Sequence, residues 1–200
     1  MEVIFSSTSK FKKEEFIEIV GDKLKNINII YPDFIPDIKE IQGNIEEVAI
    51  DKAKKAFDYF KKPVIIDDES FSIKSLNGFP GPYLKDFEKY LKTDGIYELL
   101  NKYSDDTCFT QVTYCFTQDG LNFKTFFAYT ECCSIKMRDN FHNTQDYWEV
   151  IRPKVLDKRL NEVTLKEFNS DWYMRKQALT QMIEYLNNLS SNFNNINKEN

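Results

Sequence analysis

The chain has 200 residues, of which 42% are hydrophobic and 30% charged, and its net charge is -5. That is the balance of one globular domain large enough for a substantial core, and the acidic excess argues against the basic footprint of a nucleic-acid binder. No apolar run approaches the roughly 18 residues of a membrane span, and Met1 to Lys10 lacks the basic-then-apolar order of a secretory leader, so no membrane partner is expected and the cytoplasm is the default compartment.

Met1 to Phe5 reads as a short buried strand, followed by the polar loop Ser7-Thr8-Ser9. Ser9 is a good N-cap for a helix reaching Val20, whose apolar positions Phe16, Ile19 and Val20 have helical spacing. Asn28 to Tyr31 is a second strand, and Pro32 and Pro36 bracket an irregular stretch. Asn44 caps a helix with an apolar face of Ile45, Val48, Ala49, Ala53, Ala56, Phe57 and Phe60. Pro63 to Ile66 is an apolar run ending in acid, which suits a buried strand delivering side chains to a cleft at its C-terminal end. Two glycines and two prolines in Gly78-Phe79-Pro80-Gly81-Pro82-Tyr83 make a rigid loop leading into a helix at Leu84. Cys108 to Phe116 and Phe123 to Ile135 flank a Gln118-Asp119-Gly120 turn, an antiparallel hairpin. Thr164 to Leu189 reads as largely helical. Strands alternating with helices in the first half, then the hairpin, predict an α/β domain over residues 1–188 with a mixed, curved sheet. The Asn-rich tail, 189–200, has few core-forming residues and is expected to fray.

Two familiar catalytic arrangements lack their parts. The four cysteines (Cys108, Cys115, Cys132, Cys133) contain no CxxC pair, and His142 is the one histidine. A structural zinc site needs closer and more regular ligands. The cysteines read as small buried hydrophobes in strands ahead of a redox pair at Cys132-Cys133. A Ser-His-Asp or Cys-His hydrolase would depend on His142, around which nothing supports that chemistry.

What remains is an acidic cluster flanked by lysines. Asp67 and Asp68 follow the apolar strand, and successive strand residues face opposite ways, so only one of them projects straight into a given cleft. Glu40 lies on the irregular segment before the Asn44 helix. Carboxylates from separate segments, completed by water and phosphate oxygens, are what Mg2+ prefers. Lys12, Lys52 and Lys85 flank the cluster, and a helix N-terminus behind Ser7-Thr8-Ser9 offers backbone donors to phosphate. Scattered surface charges would account for such groups equally well, until the glycine-proline loop is added.

Taken together, Ser7-Thr8-Ser9 with Lys12, Glu40-Ile41-Gln42-Gly43, Val64-Ile65-Ile66-Asp67-Asp68 and Gly78-Phe79-Pro80-Gly81-Pro82-Tyr83-Leu84-Lys85 resemble the inosine triphosphate pyrophosphatase or Ham1-like family in order and spacing over residues 3–100. The resemblance implies an elongated mixed sheet with flanking helices, two lobes around a cleft, and a homodimer. It implies Mg2+-dependent conversion of a nucleoside triphosphate, such as that of inosine or xanthosine, to the monophosphate and pyrophosphate. By position, it gives Glu40, Asp67 and Asp68 to the metal, with Asp68 also accepting a proton from the attacking water. The triphosphate falls to Ser7, Thr8, Ser9, Lys12, Lys52 and Lys85. The base half departs from the family pattern: Phe-Gly-Trp-Asp-Pro is represented by Asp146-Tyr147-Trp148-Glu149, and Ser-His-Arg by Tyr173-Met174-Arg175. Trp148, Glu149 and Arg175 are the residues left to meet the base. The family's loop Asn is Ser9 here and its Thr or Ser after the key Asp is Glu69, which leaves a nucleotide-binding protein with lost or retargeted turnover as the alternative.

Overall fold

A computed structural model describes residues 1–135 and 146–196; His142 lies outside the described residues. The elements in order are β1 (Glu2–Ser6), α1 (Lys10–Val20), β2 (Asn28–Ile30), α2 (Ile45–Phe60), β3 (Val64–Ile73), β4 (Pro80–Gly81), α3 (Leu84–Asn101), β5 (Thr107–Thr117), β6 (Phe123–Ser134), β7 (Ile151–Pro153), α4 (Leu165–Phe168) and α5 (Met174–Ile196). Among the described residues the strands make one mixed, curled sheet in the order β2-β1-β3-β5-β6-β7, with β4 on β3. No helix in this part of the chain is long and apolar enough to cross a membrane.

Local chemistry explains most of the boundaries. Ser9 caps α1 by accepting the Lys12 N–H. Asn44 and Glu47 form a reciprocal capping box at the start of α2, which satisfies two of the amides that a helix start leaves orphaned. Asp119 accepts the N–H groups of Leu121 and Asn122 to close the β5–β6 hairpin. In that hairpin Gly120 has φ +71, and a Cβ there would collide with the Phe57 ring, so the turn and α2 can approach each other only with glycine.

Period-2 alternation divides the core. Ile4, Val64, Ile66 and Cys115 face α2 through Ala49, Ala53 and Ala56. Val3, Phe5, Ile65, Tyr114 and Phe116 face the other way into the larger cluster, with Phe16 and Ile19 of α1 and Ala178, Leu179 and Met182 of α5. All four cysteines are unpaired and buried, as small hydrophobes.

Three expectations need correction. β3 does not stop at the acids: it runs ten residues to Ile73 because β5 pairs with it throughout, from Val64↔Thr117 to Ile73↔Cys108. The glycine-proline loop contributes a two-residue strand, Pro80–Gly81, opposite Phe71 and Ser72, an edge position where the N–H that proline lacks is not missed. Helix α5 continues to Ile196, well into the Asn-rich tail.

One consequence positions the site. β1 pairs with β3 only at Val64, Ile65 and Ile66, and the pairing of β3 with β4 begins at Phe71. Between them, Asp67 to Ser70 keep β5 on one edge and, among the described residues, have no strand on the other. The chain leaves β1 into Ser7-Thr8-Ser9 at this gap.

Candidate active site

Every residue assigned from sequence to phosphate or metal borders one cavity of about 260 Å³: Ser7, Thr8, Ser9, Lys12, Glu40, Lys52, Asp67, Asp68 and Lys85. A second cavity of about 460 Å³ shares Ser9, Lys12, Glu40, Asp68 and Lys85 and extends between Trp148, Leu160, Val163 and Phe168. A polar region therefore opens directly into an apolar one.

The polar region is organised by Lys52, which projects from α2. Its Nζ donates to Asp68 Oδ1 at 2.7 Å and pairs with Glu40 Oε1 at 2.9 Å. Lys85 Nζ meets the same Glu40 oxygen at 2.5 Å. Because one ammonium holds both, the Glu40 and Asp68 carboxylates are near enough to share a divalent ion. One or two carboxylates with substrate phosphates and water is the ligand set Mg2+ accepts, so these two residues fit it. Among the described residues no group of three or more His, Cys, Asp or Glu is arranged to hold a metal. Burial pushes the Asp68 carboxyl above its usual range, outweighing the pull of Lys52 and Lys12. At Glu40 burial acts in the same direction but loses to Lys85 and Lys52, so its carboxyl lies below the usual range.

Asp67 behaves differently from Asp68, as alternation along β3 requires. Its side chain is buried and pairs with Lys12 Nζ at 2.6 Å and with the Arg175 guanidinium. Burial raises its carboxyl, but Arg175 and Lys12 reverse this and hold it below the usual range. With both oxygens committed to cations, Asp67 is a positioning residue in this structure and not an open metal ligand.

Arg175 also differs from its expected part. It is 1% exposed, not a solvated helix residue or a free donor for a base. Its Nε pairs with Glu15 Oε2 at 3.0 Å, one terminal nitrogen binds Asp67 and the Tyr114 hydroxyl, and the other meets Glu69 Oε2 at 2.5 Å. Tyr173 donates to Glu15 at 2.6 Å, and Tyr147 donates to Glu69 at 2.6 Å. Burial raises the Glu15 carboxyl to about 7, against the pull of Arg175. Glu69, the departure beside the key Asp, is thus explained by Arg175: residues 67 and 69 share one face of β3 and grip the same guanidinium. Glu149 is buried and lines neither cavity. Trp148 does line the larger one, packed against Phe11 and Phe168 at 5.6 and 5.7 Å between ring centres.

Reading the sequence missed Glu15, Phe11, Phe168 and Glu88, and named Asp146 only as part of the Asp146-Tyr147-Trp148-Glu149 segment. For Glu15 there was a signal: it falls in the stripe of α1 that also carries Phe16 and Ile19, where a carboxylate is costly unless paired. The others come together only through the tertiary fold.

The comparisons agree with this geometry. Residues 3–185 match the model of the Ham1 family. The chain is 31% identical over 116 residues to an inosine triphosphate pyrophosphatase of Schizosaccharomyces pombe, covering 58% of this chain and 59% of the relative. It is 34% identical over 113 residues to one of Ajellomyces capsulatus, covering 56% and 59%. These alignments thus span less than two thirds of either relative. The fold is similar to the Ham1 protein of Staphylococcus aureus, with a TM-score of 0.71 at 24% identity over 93% of this chain and 98% of that one. It is also similar to a HAM1 protein of Coxiella burnetii, with a TM-score of 0.76 at 22% identity and the same coverage. With a family model matching almost end to end, and a mixed curled sheet whose acidic gap opens beside the Ser7-Thr8-Ser9 loop, the chain belongs to the Ham1 family.

Proposed function

We propose that this chain is a nucleoside triphosphate pyrophosphatase, converting a nucleoside triphosphate and water to the monophosphate and pyrophosphate. One observation carries the reading: the loop, lysines and carboxylates flagged for a triphosphate border a single cavity that opens into an aromatic one. The names of the fungal relatives support it by likeness.

In this reading the triphosphate lies against Ser7-Thr8-Ser9 and the start of α1, where backbone N–H groups and the helix dipole favour anions. Lys12, Lys52 and Lys85 supply positive charge. Each is paired with a carboxylate in the structure, so phosphate oxygens would replace or share those partners. Water attacks the α-phosphorus, its bond to the oxygen bridging to the β-phosphorus breaks, and pyrophosphate leaves. Asp68 takes the water's proton; a carboxyl raised by burial is a better base than an exposed one. Glu40 and Asp68 would hold Mg2+, which when bound supplies charge stabilisation to the phosphate oxygens.

The test is product analysis over a panel of nucleoside triphosphates, with Mg2+ and with chelator. Pyrophosphate is the expected product, and only with metal. Stepwise release of orthophosphate would overturn the reaction, and full activity in chelator would remove the metal.

A further inference from the structure

One face of β3 carries a continuous polar path from one end of the cleft to the other. Asp67, Glu69 and Phe71 share that face, because strand side chains alternate, and each holds a different part of the wall. At the triphosphate end Lys12 pairs with Asp67 Oδ1 at 2.6 Å. The Arg175 guanidinium spans Asp67 Oδ2 and Glu69 Oε2, the latter at 2.5 Å. Glu69 Oε1 accepts the Tyr147 hydroxyl at 2.6 Å, and Phe71 packs against the Tyr147 ring with centres 4.6 Å apart. Glu69, Arg175 and Asp67 use a separate atom for each of these links, so all of them hold at once. Every polar link includes an ionised group, the kind that makes the stronger hydrogen bonds. Lys12 lines both cavities, whereas Tyr147 and Trp148 line the larger one and not the smaller.

The segment at the far end of this path is a single short turn, Tyr147–Glu149, ahead of the three-residue strand β7. Asp146 Oδ1 accepts the Trp148 N–H at 2.9 Å, which shapes the turn without tying it to another element. Glu88 Oε1 accepts the Tyr147 N–H at 3.2 Å and ties it to α3. The Tyr147 hydroxyl ties it to β3. Burial, with the Glu69 charge beside it, pushes that phenol well above its ordinary range, so it stays a donor. Glutamate suits position 69 because it offers one oxygen to the phenol and one to the guanidinium. A serine or threonine, shorter and ending in one oxygen, could not hold both.

We propose that Glu69 is a positioning residue that fixes the Tyr147-Trp148 wall of the larger cavity to Lys12, through Arg175 and Asp67, so that a nucleotide spanning the cleft meets both ends at a set separation. A displacement of about 1 Å at such a contact can cost two orders of magnitude in rate. The proposal rests on the pyrophosphatase reading, which puts the triphosphate beside Lys12 and leaves the larger cavity to the nucleoside.

The test compares a ligand that spans the cleft with ligands that occupy its phosphate end alone. For the parent, Tyr147→Phe, Glu69→Ala and the double variant, kcat/KM is measured on the fastest substrate of the nucleotide panel, and Ki for inorganic tripolyphosphate and for pyrophosphate. Tyr147→Phe keeps the ring on Phe71 and removes only the hydroxyl. It should lower kcat/KM by roughly tenfold, the scale of one hydrogen bond to a charged group, with both inhibition constants unchanged. Once Glu69 is truncated, removing the hydroxyl should cost nothing more, because the two partners of one link are not additive. A general loosening of the fold would instead weaken the inorganic anions as much as the nucleotide. That outcome, a parental kcat/KM in Tyr147→Phe, or additive losses in the double variant would overturn the proposal and leave the pyrophosphatase reading standing. If Glu69→Ala fails to fold by circular dichroism, Tyr147→Phe against the parent decides. If the parent releases pyrophosphate from no nucleotide, that reading fails, and the variants are compared by Kd for inosine triphosphate and for tripolyphosphate. A loss confined to the nucleotide would then sustain the positioning role; any other result, absence of nucleotide binding included, would end it.

Discussion

The two faces of β3 put their acids to opposite uses. On the α2 face, Asp68 joins Lys52, Glu40 and Lys85 in a chain of ion pairs that reaches solvent: the Lys85 side chain is 82% exposed and Glu40 29%. On the other face, Asp67 and Glu69 close with Glu15 around Arg175, where Glu15, Asp67 and Arg175 are essentially sealed from water. Pairs at a wet edge are worth little and exchange partners readily. A guanidinium buried among three carboxylates cannot be vacated cheaply, because any partner left behind is an uncompensated charge. One strand therefore carries, on one face, ion pairs that reach solvent and, on the other, a sealed cluster that ties α1, β3 and α5 together.

That contrast can be broken most severely at Arg175. Arg175→Ala should cost about 3–5 kcal/mol of stability, read by chemical denaturation; a variant as stable as the parent would show that the cluster holds nothing together. On the opposite face, Asp68→Asn should lower turnover by roughly 10²–10⁴-fold while the melting temperature moves little, since Glu40 still pairs with Lys52. Undiminished turnover would take Asp68 out of the proton transfer.

Acidity sharpens the same comparison. The Glu15 carboxyl is raised from 4.5 to about 7, by burial first, with Asp67 and Glu69 adding to the shift and Arg175 and Tyr173 opposing it. The folded state then binds the proton more tightly than the unfolded chain does. Its contribution is complete below about 4.5 and is lost as the pH rises through about 7. Glu15→Gln should flatten the decline in stability between pH 5 and pH 8 by on the order of 1–3 kcal/mol, measured by denaturation across that range. An unchanged slope would mean that the buried carboxyl stays charged throughout.

The smallest expected change is at the wet edge. Lys85→Ala should alter stability by less than about 1 kcal/mol and raise KM for a nucleoside triphosphate several-fold. A large loss of stability would place Lys85 with the structural charges instead.

These contrasts also mark how far the sequence could be read. Ser9 and Asn44 announce the starts of their helices because capping is settled within three residues. Asp67 and Asp68 diverge because strand side chains alternate, whatever lies beyond. The glycine-proline motif and the acidic run pointed to the family, and with it the curled sheet. The length of β3 was not visible, because its polar half is held as strand by β5, some forty residues later.

The function of Arg175 could not be read locally at all. Its partners come from α1, β3 and β5, with Asp67 108 positions away in sequence, and a guanidinium looks the same in a sequence whether it will face solvent, a base or three carboxylates. Glu88 and Asp146 likewise become neighbours only when α3 packs beside the segment before β7. The sequence by itself determined what depends on near neighbours and on the period of the backbone: caps, turns, the division of β3 into two faces and the inventory of charges. The tertiary structure decided which charges are sealed and which stay wet, because desolvation depends on everything packed around a group, and the chain brings that packing from far along its length.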